Sequence, residues 1–205
     1  RDAIKPLINH ENPLVSGAAR AFFSRHFGET SLLSTLVQQL GSEIPGQRRA
    51  AVIDLGDSGD RHQVSALIQC PVSMPLRAKS TLQLIPELET DEESPEERQL
   101  FRRLLTDHPD QLRLKDEQLC SKSPKAIENF LQHRDEARQY GAAKQLLQMD
   151  QKQAIQVIRD LHNRLGSDYV IHYYLTMCSS LIPLGEHKDL IISSLHETIP
   201  QYTKS

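Results

Sequence analysis

Three segments of this sequence open near a proline and then place small residues along one helical face, and their spacing constrains the fold more than any other feature. They are Asn12-Pro-Leu-Val-Ser-Gly-Ala-Ala-Arg-Ala-Phe-Phe, Ile44-Pro-Gly-Gln-Arg-Arg-Ala-Ala-Val-Ile-Asp-Leu and Ser73-Met-Pro-Leu-Arg-Ala-Lys-Ser-Thr-Leu. Matching Ala18, Ala50 and Ala78 gives steps of 32 and 28 residues, at the short end of the range for stacked helix pairs. A fourth segment, Glu136-Ala-Arg-Gln-Tyr-Gly-Ala-Ala-Lys-Gln-Leu, repeats the small-residue signature at Gly141, Ala142 and Ala143.

Amphipathic partners lie between these helices. Leu32, Leu33, Leu36, Val37 and Leu40, then Val64, Leu67 and Ile68, then Ile155, Ile158 and Leu161 follow the spacing of one helical face. Pro13 and Pro45 read as helix starts, because the missing N–H falls where no intrahelical acceptor exists. Gly28, Gly41, Gly59 and Gly166 stand where helices should stop. No segment alternates with period two. The expected fold class is therefore all-α, a HEAT-like or armadillo-type α-solenoid of paired antiparallel helices. Its expected organisation is HEAT-like repeats over residues 1–88, an irregular acidic and polar insertion with a short helix over 89–123, and further helix pairs over 124–205. The acidic run Glu89-Thr-Asp-Glu-Glu reads as a solvated helix start, with Ser94-Pro95-Glu96-Glu97 supplying its cap.

Composition removes several classes of function. With a formal net charge of -3, the chain lacks the basic excess of a nucleic-acid binder. Cys70, Cys120 and Cys178 are odd in number, widely spaced and without a CxxC pair, so neither a disulfide framework nor a zinc site is expected. No apolar run approaches the roughly 20 residues that cross a bilayer, and Arg1 to Ile8 lacks the layout of a signal peptide. A soluble chain in a reducing compartment is expected. Because the sequence opens on Arg1 inside what reads as a helix, a preceding N-terminal part is expected as well.

The chemistry-bearing motifs are absent. There is no Gly-x-Gly-x-x-Gly, no Walker-type Gly-Lys-Ser/Thr, no Gly-x-Ser-x-Gly and no His-Glu-x-x-His. The nine histidines are scattered, with His162 and His172 the pair placed to approach each other, and no metal site is assigned. Cys70, before Pro71 at a repeat boundary, and Cys178 read as small apolar fillers; Cys120 reads as exposed. Asp54 reads as an acid tying neighbouring repeats together. Two clusters mix arginine with aromatic or histidine surface, which suits a flat, conjugated, carboxylate-bearing ligand. The first is Arg20, Phe23, Arg25, His26 and Phe27; the second is Arg134, Arg138 and Tyr140 with Tyr169, His172, Tyr173 and Tyr174. Phe22 and Phe23 are adjacent, so they point in different directions and one is expected to face a groove.

Residues 12 to 86 resemble the C-terminal repeats of the E-type subunit of the E/F-type phycobilin lyases. The resemblance is carried by Val15-Ser-Gly-Ala-Ala-Arg-Ala, by Gln47-Arg-Arg-Ala-Ala-Val-Ile-Asp-Leu-Gly with Gly59 following, and by Leu76-Arg-Ala-Lys-Ser-Thr-Leu, in matching order and spacing. The Tyr- and Asn-rich segment ending in Gly-Ala-Arg associated with such lyases does not occur in this sequence. The block from Lys125 onward is similar to the extension of the longer lyases that serve phycoerythrin.

The resemblance implies attachment of a linear tetrapyrrole, phycoerythrobilin or phycocyanobilin, by a thioether bond to a cysteine of a phycobiliprotein α- or β-subunit, with isomerisation of the bilin in some members. The bilin would be substrate; no prosthetic cofactor is implied. Such chemistry asks for positioning and for protonation of the tetrapyrrole, while the thiolate belongs to the acceptor, so no triad is expected. Arg20, Arg25, His26, Arg138, Tyr140 and Tyr173 are the candidate bilin-binding residues, arginines for the propionates and aromatics or histidine for the rings; no catalytic residue is assigned. A second HEAT-like lyase subunit is the implied partner, and the cyanobacterial cytoplasm the implied location. The rival expectation is a non-catalytic HEAT-repeat scaffold that binds protein, such as a phycobilisome assembly or disassembly factor.

Overall fold

Proline and cap chemistry place the helices. In the computed structural model, which describes residues 2–85, 95–183, 185 and 187–196, α1 (Pro13–Phe27) begins on Pro13. The Asn12 side chain accepts from the Leu14 N–H at 2.9 Å there. Gly28 ends α1 in the left-handed region at φ 69°, where a Cβ would be strained. After a 3₁₀ turn over Thr30–Leu33, α2 (Ser34–Gln39) leads to α3 (Pro45–Asp57), again opened by its proline. A second 3₁₀ turn, Arg61–Gln63, precedes α4 (Val64–Ile68), followed by α5 (Met74–Leu84) and α6 (Pro95–Thr106). The remaining helices are α7 (Pro124–Leu131), α8 (Glu136–Leu147), α9 (Gln151–Leu165), α10 (Tyr169–Leu181) and α11 (Lys188–His196). No strand occurs among the described residues, so the all-α expectation holds.

The chain divides into two units, residues 1–113 and 114–205. In the first, α3 packs against both α1 and α5, α2 lies on α3, α4 on α5, and α6 on α4 and α5. Leu36, Leu55 and Leu67 are fully buried at the centre of this core. Truncating any of them to Ala would cost about 2–5 kcal/mol in lost transfer energy and cavity formation. The two partner helices α2 and α4 are short, and the apolar stripe of α2 begins within the preceding 3₁₀ turn: Leu33 is 1% exposed although it precedes α2.

Two arginines are part of this core. Arg48 and Arg77 each stand three residues after the first residue of their helix, and they are 0% and 1% exposed. Arg48 Nη1 donates to the Ser42 carbonyl at 2.7 Å. Arg77 donates from Nε to the Val72 carbonyl at 3.0 Å and from Nη1 to the Ile68 carbonyl at 2.9 Å. Each guanidinium thereby satisfies carbonyls of the chain leading into its own helix, which have no helical donor.

In the second unit the helix starts carry side-chain caps in place of most of the prolines. Ser123, Asp135, Asp150 and Asp168 accept from backbone N–H groups of the first turns of α7, α8, α9 and α10; caps of this kind contribute about 1 kcal/mol each. α8 packs on α7 and α10, and α10 on α9 and α11. Gly141 lies where the Gln118 backbone crosses α8, so closely that a Cβ would overlap the Gln118 carbonyl oxygen. The small-residue signature of that helix serves this close approach.

The segment expected as an insertion is shared between the units. α6 and the 3₁₀ turn Pro109–Gln111 belong to the first, and the 3₁₀ turn Asp116–Gln118 to the second. The acidic run 89–93 and the Ser94 cap lie outside the described residues. No described helix is long and apolar enough to cross a membrane.

Candidate functional site

In the first unit, α1 carries Arg20, Arg25 and His26, and both arginines use their forks on backbone. Arg20 donates from Nε and Nη2 to the Ile8 carbonyl at 3.2 and 3.1 Å, fastening the 3₁₀ turn Lys5–Asn9 to α1. Arg25 Nη1 donates to the Asp57 carbonyl at 3.2 Å, joining the end of α1 to the end of α3. Arg25 and His26 are exposed, and the His26 ring stacks on Phe22 with centroids 4.5 Å apart. Phe23 is fully buried while Phe22 is half-buried, the division expected of adjacent helical residues.

Asp54 on α3 sits against Gly17 of α1, where a Cβ would overlap its Oδ2. Burial, and secondarily the Asp57 carboxylate, push its carboxyl up to about 6. The acid does lie between neighbouring helices.

In the second unit, Arg138 lies over the Phe130 ring, 5.5 Å from its centroid. Tyr140, fully buried, meets Tyr174 edge-on at 5.0 Å, and Tyr173, half-buried, meets Tyr174 edge-on at 5.3 Å. The structure therefore brings Tyr140 and Tyr173 to a common aromatic neighbour, with Tyr140 in the core and Tyr173 at its edge. His162 and His172 do approach, with ring centroids 5.2 Å apart and His172 fully buried. No group of three or more metal-ligating side chains occurs among the described residues. Cys70 and Cys178 are buried; Cys120 is half-buried, and burial pushes its thiol up, away from the reactive thiolate. Around α9, Arg164 binds Glu128 at 3.2 Å and Asp160 at 2.8 Å, and its guanidinium holds the Glu128 carboxyl below the usual range.

One feature of the first unit was not legible in the sequence. The turn Arg61–Gln63 with α4, α5 and α6 encloses a pocket of about 420 Å³. Val64, Ile68, Ile85, Leu100 and Phe101 form apolar walls, with Arg61, His62 and Thr81 as the polar lining.

The chain matches no known family model, and no curated protein matches its sequence.

Proposed function

We propose that this chain is a subunit of a phycobilin lyase, acting in the cytoplasm of a cyanobacterium on phycoerythrobilin or phycocyanobilin and a phycobiliprotein subunit, with a second helical-repeat subunit as partner. The observation that carries the reading is the set of three lyase-like segments, which fall on α1, α3 and α5. These helices pack in that order, α1 on α3 and α3 on α5, as successive repeats of such a subunit would. In the reaction, the acceptor thiolate adds to the vinyl or ethylidene carbon of the bilin, and the proton passes to the tetrapyrrole; nothing leaves. The lyase has then to hold the chromophore and direct the proton.

Arg25 and His26 are the best-placed ligand contacts in the first unit, since both are exposed at the end of α1. Arg138 and Tyr173 are their counterparts in the second, both partly exposed. Arg20 and Tyr140 support the reading indirectly, one by fastening the turn before α1 and the other by packing α8 on α10.

The rival reading, a non-catalytic scaffold that binds a protein, gains from the engagement of Arg20 and Arg25 with backbone carbonyls. The two are separated by titrating phycoerythrobilin and phycocyanobilin into the purified chain, alone and with an F-type partner, while following absorbance. A saturable red shift that weakens in Arg25→Gln and Arg138→Gln supports the lyase. Capture of a phycobiliprotein subunit without any bilin spectral change supports the scaffold.

A further inference from the structure

We propose that Thr81 anchors a small uncharged molecule, with an apolar body and one hydrogen-bonding group, in the pocket between the Arg61–Gln63 turn and α4, α5 and α6. Bilin attachment plays no part in it. The pocket volume, about 420 Å³, falls within the range of small-molecule sites. Val64 and Ile68 of α4 belong to the hydrophobic core, Leu100 and Phe101 of α6 pack against that core, and Ile85 follows α5. These five side chains wall the pocket, so an apolar occupant extends the core and leaves water on binding.

Thr81 is itself the independent sign of a ligand. It lines the pocket, is 1% exposed, and its Oγ1 has no hydrogen-bond partner. A buried hydroxyl normally finds one, because its desolvation is otherwise uncompensated. The same place in α3 is hydrocarbon: Val52 and Thr81 each stand seven residues after the first residue of their helices, and Val52 is 0% exposed. Valine therefore serves packing at that place, and the Thr81 hydroxyl is left for an occupant of the pocket. Arg61 already has an interaction of its own and His62 is open to water, so the buried anchor is Thr81 and not a charge at the turn. Against five apolar walls and a neutral hydroxyl, a charged group would be desolvated without compensation. An alcohol, a phenol or an arylamine N–H meets its partner there.

The test uses the full chain and the fluorescence of N-phenylnaphthylamine, an uncharged aromatic with a single N–H, with octanol and octanoate as non-fluorescent competitors of equal chain length. The expected result is saturable binding at one site, indifferent to salt, displaced by octanol and far more weakly by octanoate. Leu100→Trp, which fills the pocket from a half-buried wall position, abolishes it. Thr81→Val gives the decisive signature: it removes a buried unpartnered hydroxyl, so the free protein melts higher while the probe binds about three- to tenfold more weakly, the worth of one neutral hydrogen bond. A hydroxyl with only a structural role would move both quantities together. Binding that fails to saturate, that survives Leu100→Trp, or that octanoate displaces as well as octanol does, overturns the proposal. So does Thr81→Val leaving affinity unchanged, or lowering the melting temperature. None of these outcomes involves a bilin, so the failure of one account leaves the other standing.

Discussion

Arg77 on α5 and Asp107, just past α6, form an ion pair buried on both sides, with the two side chains 2% and 4% exposed. Asp107 adopts φ 50°, in the left-handed region, where Asp is among the better-tolerated residues. The pair fixes the end of α6 to the start of α5. Removing one partner strands the other charge in the core. Arg77→Met is therefore expected to cost about 3–5 kcal/mol in urea denaturation. The double variant Arg77→Met/Asp107→Asn should lose less than the sum of the single changes, since no buried charge is left unpaired.

Asp54 gives the first unit a pH dependence of defined sign. Its carboxyl is pushed from 3.8 up to about 6, first by burial and then by Asp57. Above pH 6 the folded state carries a partly buried charge. As the pH falls from 6 toward 3.8 the folded state takes up the proton before the unfolded state does, so stability rises; below 3.8 this contribution is complete. The slope should be shallow, because solvent reaches part of the carboxylate and screens it. Asp54→Asn removes the slope and melts higher than the parent at pH 8, which thermal melts between pH 4 and 8 would check.

At Gly141 the prediction concerns space. A Cβ there overlaps the Gln118 carbonyl oxygen, which belongs to backbone and not to a flexible side-chain end. Gly141→Ala should then cost about 1–3 kcal/mol, despite the better helix propensity of Ala, because the crossing turn Asp116–Gln118 must move. Measured hydrogen exchange should show the loss concentrated where that turn meets α8.

Among the ligand candidates, exposure separates recognition from packing. Arg25 and His26 are exposed, so His26→Ala should change stability by no more than about 0.5 kcal/mol. It should nonetheless weaken bilin binding. Tyr140→Ala should cost about 3–5 kcal/mol, as expected for a fully buried aromatic, while Tyr140→Phe retains most of the packing. Parallel melts and bilin titrations of these variants check both halves.

Much of the helical framework could be read directly from residues. Pro13, Pro45 and Gly28 state where helices begin and end through backbone chemistry that no tertiary context needs to supply. Leu36, Leu67 and Leu161 announce buried faces by spacing alone. The buried arginines were hidden, because Arg48 and Arg77 carry the composition of a surface and are drawn inside by carbonyls that only the folded loops present. Tyr140 was hidden in the opposite sense: an aromatic beside arginine reads as a ligand contact until the packing of α8 on α10 encloses it. The pocket needed Leu100 and Phe101 beside Thr81, and those two belong to a stretch whose sequence breaks the repeat register. Periodicity gave no means of placing them there.

The most direct test of the central claim is a covalent one. Purified chain, with and without an F-type partner, is incubated with phycoerythrobilin or phycocyanobilin and an apo-phycobiliprotein subunit, and the acceptor is examined after acid-urea denaturation. The account predicts an acceptor that keeps its bilin absorbance through denaturation, gains the mass of the chromophore on one cysteine, and does so only when this chain is present. An acceptor that stays colourless after denaturation with every partner and both bilins, or that colours equally without the chain, contradicts it.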